Sequence, residues 1–169
     1  MRRAHLTGKS NKMTYFLVSI YAAAIIVANL LVAHFGPSIT PINAFFLIGL
    51  DLALRNYLSF KMTKVQMAAM ILGTGTLSYL VNPAAGMIAI ASGVAFTLAA
   101  LTDWATFNTV QGQWMKRNLA GNSVGALVDS VVFPTIAFGG LMPVIVLAQF
   151  VAKVAGGTAW GYLINKRLV

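Results

Sequence analysis

The sequence predicts an all-α fold, an integral membrane bundle of six transmembrane helices with both termini in the cytoplasm. Three observations predict it. The chain of 169 residues is 59% hydrophobic and 9% charged, with a mean hydropathy of +0.80, whereas a globular domain is about half apolar and about a quarter charged. Six windows can be drawn along it, each near the roughly 20 apolar residues that cross a bilayer. Finally, the acidic residues are Asp51, Asp103 and Asp129, all within or at the edge of apolar runs, and there is no glutamate. A carboxylate at membrane depth costs about 3 kcal/mol on insertion scales, which makes it a functional candidate by default.

Residues 1–12 form a basic cytoplasmic segment carrying Arg2, Arg3, Lys9 and Lys12, and residues 13–169 form a single transmembrane domain. The first span, 13–35, is about 23 residues long and exceeds the roughly 7–15 residues of a signal-peptide apolar region. Span two, 42–60, carries Asp51 and Arg55; span three, 65–82, follows a boundary crowded by Arg55, Asn56, Lys61 and Lys64. The fourth, 84–108, closes on Asp103, Trp104, Phe107 and Asn108. In the fifth, 119–138, GNSVG places Gly121 and Gly125 one turn apart and Pro134 predicts a kink. The sixth, 141–164, carries Lys153 and the GTAWG motif of Gly157 and Gly161. Lysine and arginine stand at the amino terminus, near 55–64, at Lys116 and Arg117, and at Lys166 and Arg167, while the other three connections have none. By the positive-inside rule this alternation sets six crossings with both ends inside.

Composition also narrows the chemistry. There is no cysteine, and His5 and His34 lack ligand spacing, so neither a metal nor a cofactor is expected. The basic residues are scattered in pairs and form no stripe, which argues for lipid and against nucleic acid as the partner. HExxH, GxSxG and Walker motifs are absent and no catalytic carboxylate pair is marked, so an enzyme is not expected. The GxxxG glycines let helix backbones approach closely, within the chain or in a homo-oligomer.

At about 1.5 Å per residue, Asp51, Asp129 and Lys153 fall at one level near mid-membrane. Asp103, Asn108, Asn118 and Asn122 lie toward the cytoplasmic side, and Asn29 in the outer half of the first span. Arg55 follows Asp51 by one helical turn and can pair with it; Asp129 and Lys153 can pair between the last two spans. These pairings leave Asp103 without a cation inside the membrane. Three uses are open to it: protonation, reach to Lys116 or Arg117, or acceptance of hydrogen bonds from a ligand. Trp104, Phe107 and Asn108 beside it suit a flat heterocycle, which needs stacking and in-plane hydrogen bonds, although an interfacial aromatic belt uses the same residue types.

The order Asp51-Leu-Ala-Leu-Arg55, the run Asp103-Trp-Ala-Thr-Phe107-Asn108, and Gly121-Asn122 followed by Leu127-Val-Asp129-Ser130 and Phe133-Pro-Thr-Ile-Ala-Phe138 resemble the queuosine precursor transporter family, also called the VUT family. The resemblance covers most of the chain from the second span to the fifth. It implies a six-helix importer of 7-deazaguanine bases, such as 7-cyano-7-deazaguanine, in the bacterial inner membrane. Its polar positions correspond to Asp51, Arg55, Asp103, Asn108, Asn122 and Asp129. On that basis Asp103 or Asp129 is expected to accept the ring N–H and exocyclic amine together, Asn108 and Asn122 to read the carbonyl edge, and Trp104 or Phe107 to stack. Asp51, Arg55 and Lys153 are expected to serve as gate or ion pair. The rival expectations are a substrate-binding subunit of an energy-coupling-factor vitamin importer, which depends on partner ATPases, and a non-transporting scaffold held by buried ion pairs.

Overall fold

The computed structural model describes the backbone of residues 2–81 and 86–168. Side chains of residues 2–11, Ser78 and Ala89, and with them the charges of Arg2, Arg3 and Lys9 and the ring of His5, lie outside the described residues. Those residues form six long helices and no strand: α1 (Arg2–Phe35), α2 (Pro37–Leu58), α3 (Lys64–Val81), α4 (Met87–Thr109), α5 (Trp114–Ala137) and α6 (Pro143–Leu168). Five of them, all except α3, are long and apolar enough to cross a membrane.

Several boundaries differ from the sequence reading for identifiable reasons. Gly36, with φ 72, separates α1 from α2 in a left-handed conformation that suits glycine, and its N–H donates to the Val32 carbonyl at 2.8 Å. α2 then starts at Pro37, earlier than expected, because a proline in the first turn sacrifices an N–H that has no helical partner there. Thr40 Oγ1 holds that turn by donating to the Pro37 carbonyl at 2.7 Å. α5 starts at Trp114 because Gln113 is extended, and the helix takes Lys116 and Arg117 into its first turn. Pro134 lies in the last turn of α5, where it interrupts little. α2 itself is not uniform: its residues Ala44–Ile48 form a π-helical turn before the regular helix Gly49–Leu58.

The distribution of polarity is inverted relative to a water-soluble bundle. Asp51, Arg55, Asn56, Asp103, Asn118, Asn122, Gln149 and Lys153 are buried, while Leu72, Leu80, Leu98, Leu127 and Leu147 are exposed. Such an exterior is at home in hydrocarbon. The apolar core comes in two parts, one around Tyr21, Leu54, Leu58, Ile71, Phe96 and Phe107, and a smaller one around Val32, Ala91, Ala95 and Phe133.

Glycines set the helix crossings. A Cβ on Gly49 would stand 2.6 Å from the carbonyl carbon of Gly156, and one on Gly156 would overlap the Phe45 carbonyl, so α2 and α6 meet backbone to backbone at the π turn. Both GxxxG motifs are used within the chain. Gly121 and Gly125 admit Asp103 of α4, with a Gly125 Cβ only 2.8 Å from the Asp103 Cβ. Gly157 and Gly161 admit Asn122 and Asn118 of α5.

Candidate functional site

The polar residues at depth sort into two groups divided by Arg55. One lines a cavity between α1, α2, α4, α5 and α6; the other closes the bundle beneath it. α3 packs outside, against α1 and α4, and contributes no residue to the cavity wall.

The cavity runs from Arg55, Ala99 and Gly125 toward Val32, Thr40 and Phe133, the end of the bundle where α1 passes into α2. Its polar wall includes Asn29, Thr40, Asn43, Asp51, Arg55, Ser92, Asp129, Gln149 and Lys153, and its apolar wall includes Ile25, Ile48, Leu52, Phe96 and Phe133. The space between these walls, the open region at its mouth included, is about 610 Å³. Lys153 Nζ lies 2.6 Å from Asp129 Oδ2 and donates to Gln149 Oε1 at 2.8 Å and Ser130 Oγ at 3.1 Å. These partners use all three ammonium hydrogens and hold the cation against the wall. The Asp129 side chain keeps 18% of its surface exposed. Gln149, 2% exposed, has its Nε2 donor without a hydrogen-bond partner. Asn43 is fixed by its Nδ2 donating to the Ala28 carbonyl at 3.0 Å.

Beneath the cavity, Arg55 keeps the expected pair with Asp51 on its own helix and makes a closer one across to α4. Its Nη1 is 3.8 Å from Asp51 Oδ2, whereas its Nη2 and Nε reach Asp103 Oδ2 at 2.8 and 2.9 Å. The expectation that Asp103 lacks a cation within the membrane is corrected: α2 and α4 place the guanidinium against it. The i,i+4 rule sees pairs along one helix and is blind to pairs between helices. Asn56 Nδ2 stands 3.1 Å from Asp103 Oδ1, 3.2 Å from Asn118 Oδ1 and 3.1 Å from Asn122 Oδ1. An amide has two N–H bonds, so these three acceptors share two donors. Asn56 Oδ1 and Asn122 Nδ2 have no partner, although both residues are fully buried.

The remaining expected ligand contacts lie elsewhere. Phe107 is buried beneath this polar layer and stacks on Arg117, whose guanidinium carbon lies 4.3 Å from the ring centre and whose Nε donates to the Phe107 carbonyl at 2.9 Å. Trp114 and Phe60 complete that aromatic group. Asn108 is exposed and donates to the Trp104 carbonyl at 2.7 Å. Of the residues expected to touch substrate, only Asp129 lines the cavity; Asp103, Trp104, Phe107, Asn108 and Asn122 do not. Asp51, Arg55 and Lys153, expected as gate or ion pair, do line it. Gln149 was legible in principle, one turn before Lys153 in an apolar helix, and Asn56 as the neighbour of Arg55. Among the described residues no His, Cys, Asp and Glu groups come together to hold a metal.

A membrane bundle with a cavity walled by charged and polar side chains near mid-depth has the build of a multi-pass uptake transporter. Comparison with known families agrees: the chain belongs to the family described as "Putative vitamin uptake transporter", which matches residues 6–160. That is the VUT family whose residues the sequence resembles. No curated protein and no solved structure matches the chain.

Proposed function

We propose that the chain imports a queuosine precursor, a 7-deazaguanine base such as 7-cyano-7-deazaguanine, across the bacterial inner membrane, with six crossings and both termini in the cytoplasm. The observation that carries this reading is the cavity wall itself. Asp129 offers carboxylate surface for the ring N–H and exocyclic amine, and the unpartnered Gln149 Nε2 offers a donor to the carbonyl edge. Phe96 or Phe133 supplies a face for stacking. The charges of Arg55 and Lys153 are already compensated by aspartates, which favours an uncharged planar ligand over an anion.

In this reading the cavity faces outward, and Arg55, Asp103 and the three asparagines form the inner gate. A gate whose buried amides are only partly satisfied is suited to breaking and remaking, since a fully paired network would resist opening.

Thermal unfolding of the purified protein in detergent with a ligand panel tests the substrate. At a hundredfold excess over its dissociation constant, a ligand of the folded state adds about 2.7 kcal/mol of apparent stability. A 7-cyano-7-deazaguanine shift that is lost in Asp129→Asn and Gln149→Leu and kept in Asn108→Ala supports the reading. A shift with vitamins alone would move the substrate to the class that the family description names, and no shift with any ligand would favour the scaffold.

A further inference from the structure

All carboxylate side chains of the chain, three in number, stand around two buried cations, Arg55 and Lys153; Asp51 and Asp103 are buried and Asp129 is half-buried at the cavity wall. One carboxylate is therefore in excess, and a neutral Lys153 would only widen the imbalance. An uncompensated charge largely removed from water is costly to keep, and one more positive charge relieves that cost.

The contacts decide which carboxylate takes it. Asp103 receives two nitrogens of Arg55 and the amide of Asn56, and Asp129 receives the Lys153 ammonium at 2.6 Å. The one cation within 4 Å of Asp51 is Arg55 at 3.8 Å, with the Tyr21 hydroxyl beside it, and Asp51 Oδ1 lacks a hydrogen-bond partner although the residue is 1% exposed. It also lines the cavity. The groups that face it are Tyr21 from α1, Arg55 from its own helix, Asp103 from α4 and Asp129 from α5, with Lys153 of α6 across the cavity. Two of these are further carboxylates, and the one cation nearby is committed to Asp103.

We infer that Asp51 is a proton-binding site at the floor of the cavity, and that uptake through the cavity is linked to that proton. The proton arrives from the water that reaches the cavity, neutralises Asp51, and leaves to the opposite side when the gate below opens. Without it, Asp51 competes with Asp103 for Arg55, the residue that holds the gate. Binding of the proton thus releases Arg55 to Asp103 alone, and the charge of the gate responds to occupancy of the floor. The link to uptake rests on the transporter reading; the proton site does not.

Infrared difference spectroscopy of the full chain in lipid, titrated in light and heavy water, reads the proton directly. The expected result is a protonated-carboxyl band at neutral pH that shifts in heavy water, vanishes in Asp51→Asn and persists in Asn108→Ala, which leaves the three carboxylates and two cations in place. No such band in the wild type, or one that survives in Asp51→Asn, would overturn the site even if a variant failed to fold, since the wild-type titration stands alone. In proteoliposomes with the membrane potential held at zero, an inward gradient of one pH unit is expected to accumulate labelled 7-cyano-7-deazaguanine about tenfold, the ratio that one proton per neutral molecule supports. Uptake indifferent to the gradient would overturn the linkage with the substrate intact. The expected band without any uptake of the probe would fail the substrate and leave the proton site supported.

Discussion

Asp103 and Asp129 look alike in the sequence, each an aspartate in a long apolar run, yet they occupy different physical situations. Asp103 is 0% exposed and is the close counterion of a guanidinium that is itself 1% exposed. Asp129 retains contact with the cavity, and its partner Lys153 keeps Ser130 and Gln149 if the carboxylate is lost. Removing one partner of a buried pair costs about 3–5 kcal/mol because it strands the other charge. Asp103→Asn is therefore expected to destabilise by about that much, and Asp129→Asn by clearly less. Unfolding of both variants in mixed micelles checks this; equal losses would contradict the difference in partners. At this scale the sequence could name the polar residues and their approximate depth, since an ionisable group in an apolar run is visible to the eye. It could not say which helix faces which, and so it gave Arg55 to Asp51 and left Asp103 alone. The same blindness assigned Phe107 to a ligand, when the ring stacks on Arg117 from the next helix.

Among elements, the informative contacts are those where no side chain intervenes. The GxxxG pairs were legible because small residues one turn apart form a recognisable stripe, but their partners, Asp103 on α4 and the asparagines of α5, were not. Gly49 and Gly156, which bring α2 and α6 together, fall outside that motif, and the π turn at Ala44–Ile48 had no marker in the sequence. Trp160 secures this region by donating its Nε1 to the Phe46 carbonyl at 3.0 Å. Two alanine substitutions separate packing from propensity. At Gly125 a Cβ would lie 2.8 Å from the Asp103 Cβ and 3.0 Å from the Ala99 carbonyl oxygen, so α5 must move away from α4. Overpacking of that kind costs about 1–3 kcal/mol. At Gly73, in α3, a Cβ would meet nothing within 4 Å, and helix propensity then favours alanine by about 1 kcal/mol. Gly125→Ala should lower the unfolding temperature and Gly73→Ala should leave it unchanged or raise it; a Gly125→Ala protein as stable as the wild type would show that the α4–α5 approach is looser than described.

For the molecule as a whole, the decisive element is α3. Its 18 residues span about 27 Å at 1.5 Å per residue, against a hydrocarbon core of about 30 Å. Lys64 and Gln66 stand in its first turn, where long side chains reach toward the headgroups and extend the effective length. Six helices with α3 crossing keep every basic connection, including Lys61, Lys64, Lys116 and Arg117, on one side; five crossings would send Lys116 and Arg117 to the opposite side from Lys61. The charge rule therefore favours the crossing that apolar length alone leaves marginal. The chain has no cysteine, so a single introduced thiol is an unambiguous label. Ser38, Met87 and Gln111 are exposed positions in or beside the connections. In intact cells a membrane-impermeant maleimide is expected to label Ser38→Cys and Met87→Cys, and to reach Gln111→Cys only after the membrane is permeabilised. If α3 does not cross, the last two exchange behaviour while Ser38→Cys stays accessible. That outcome would put the carboxyl terminus outside and leave an inner gate at Asp103 below a cavity whose α4, α5 and α6 walls ran the opposite way through the bilayer from the rest. Since α1, α2, α4, α5 and α6 enclose one cavity together, reversal of three of them relative to the others would demand a different bundle, and the labelling of Met87 and Gln111 tests the fold and the orientation of the gate at once.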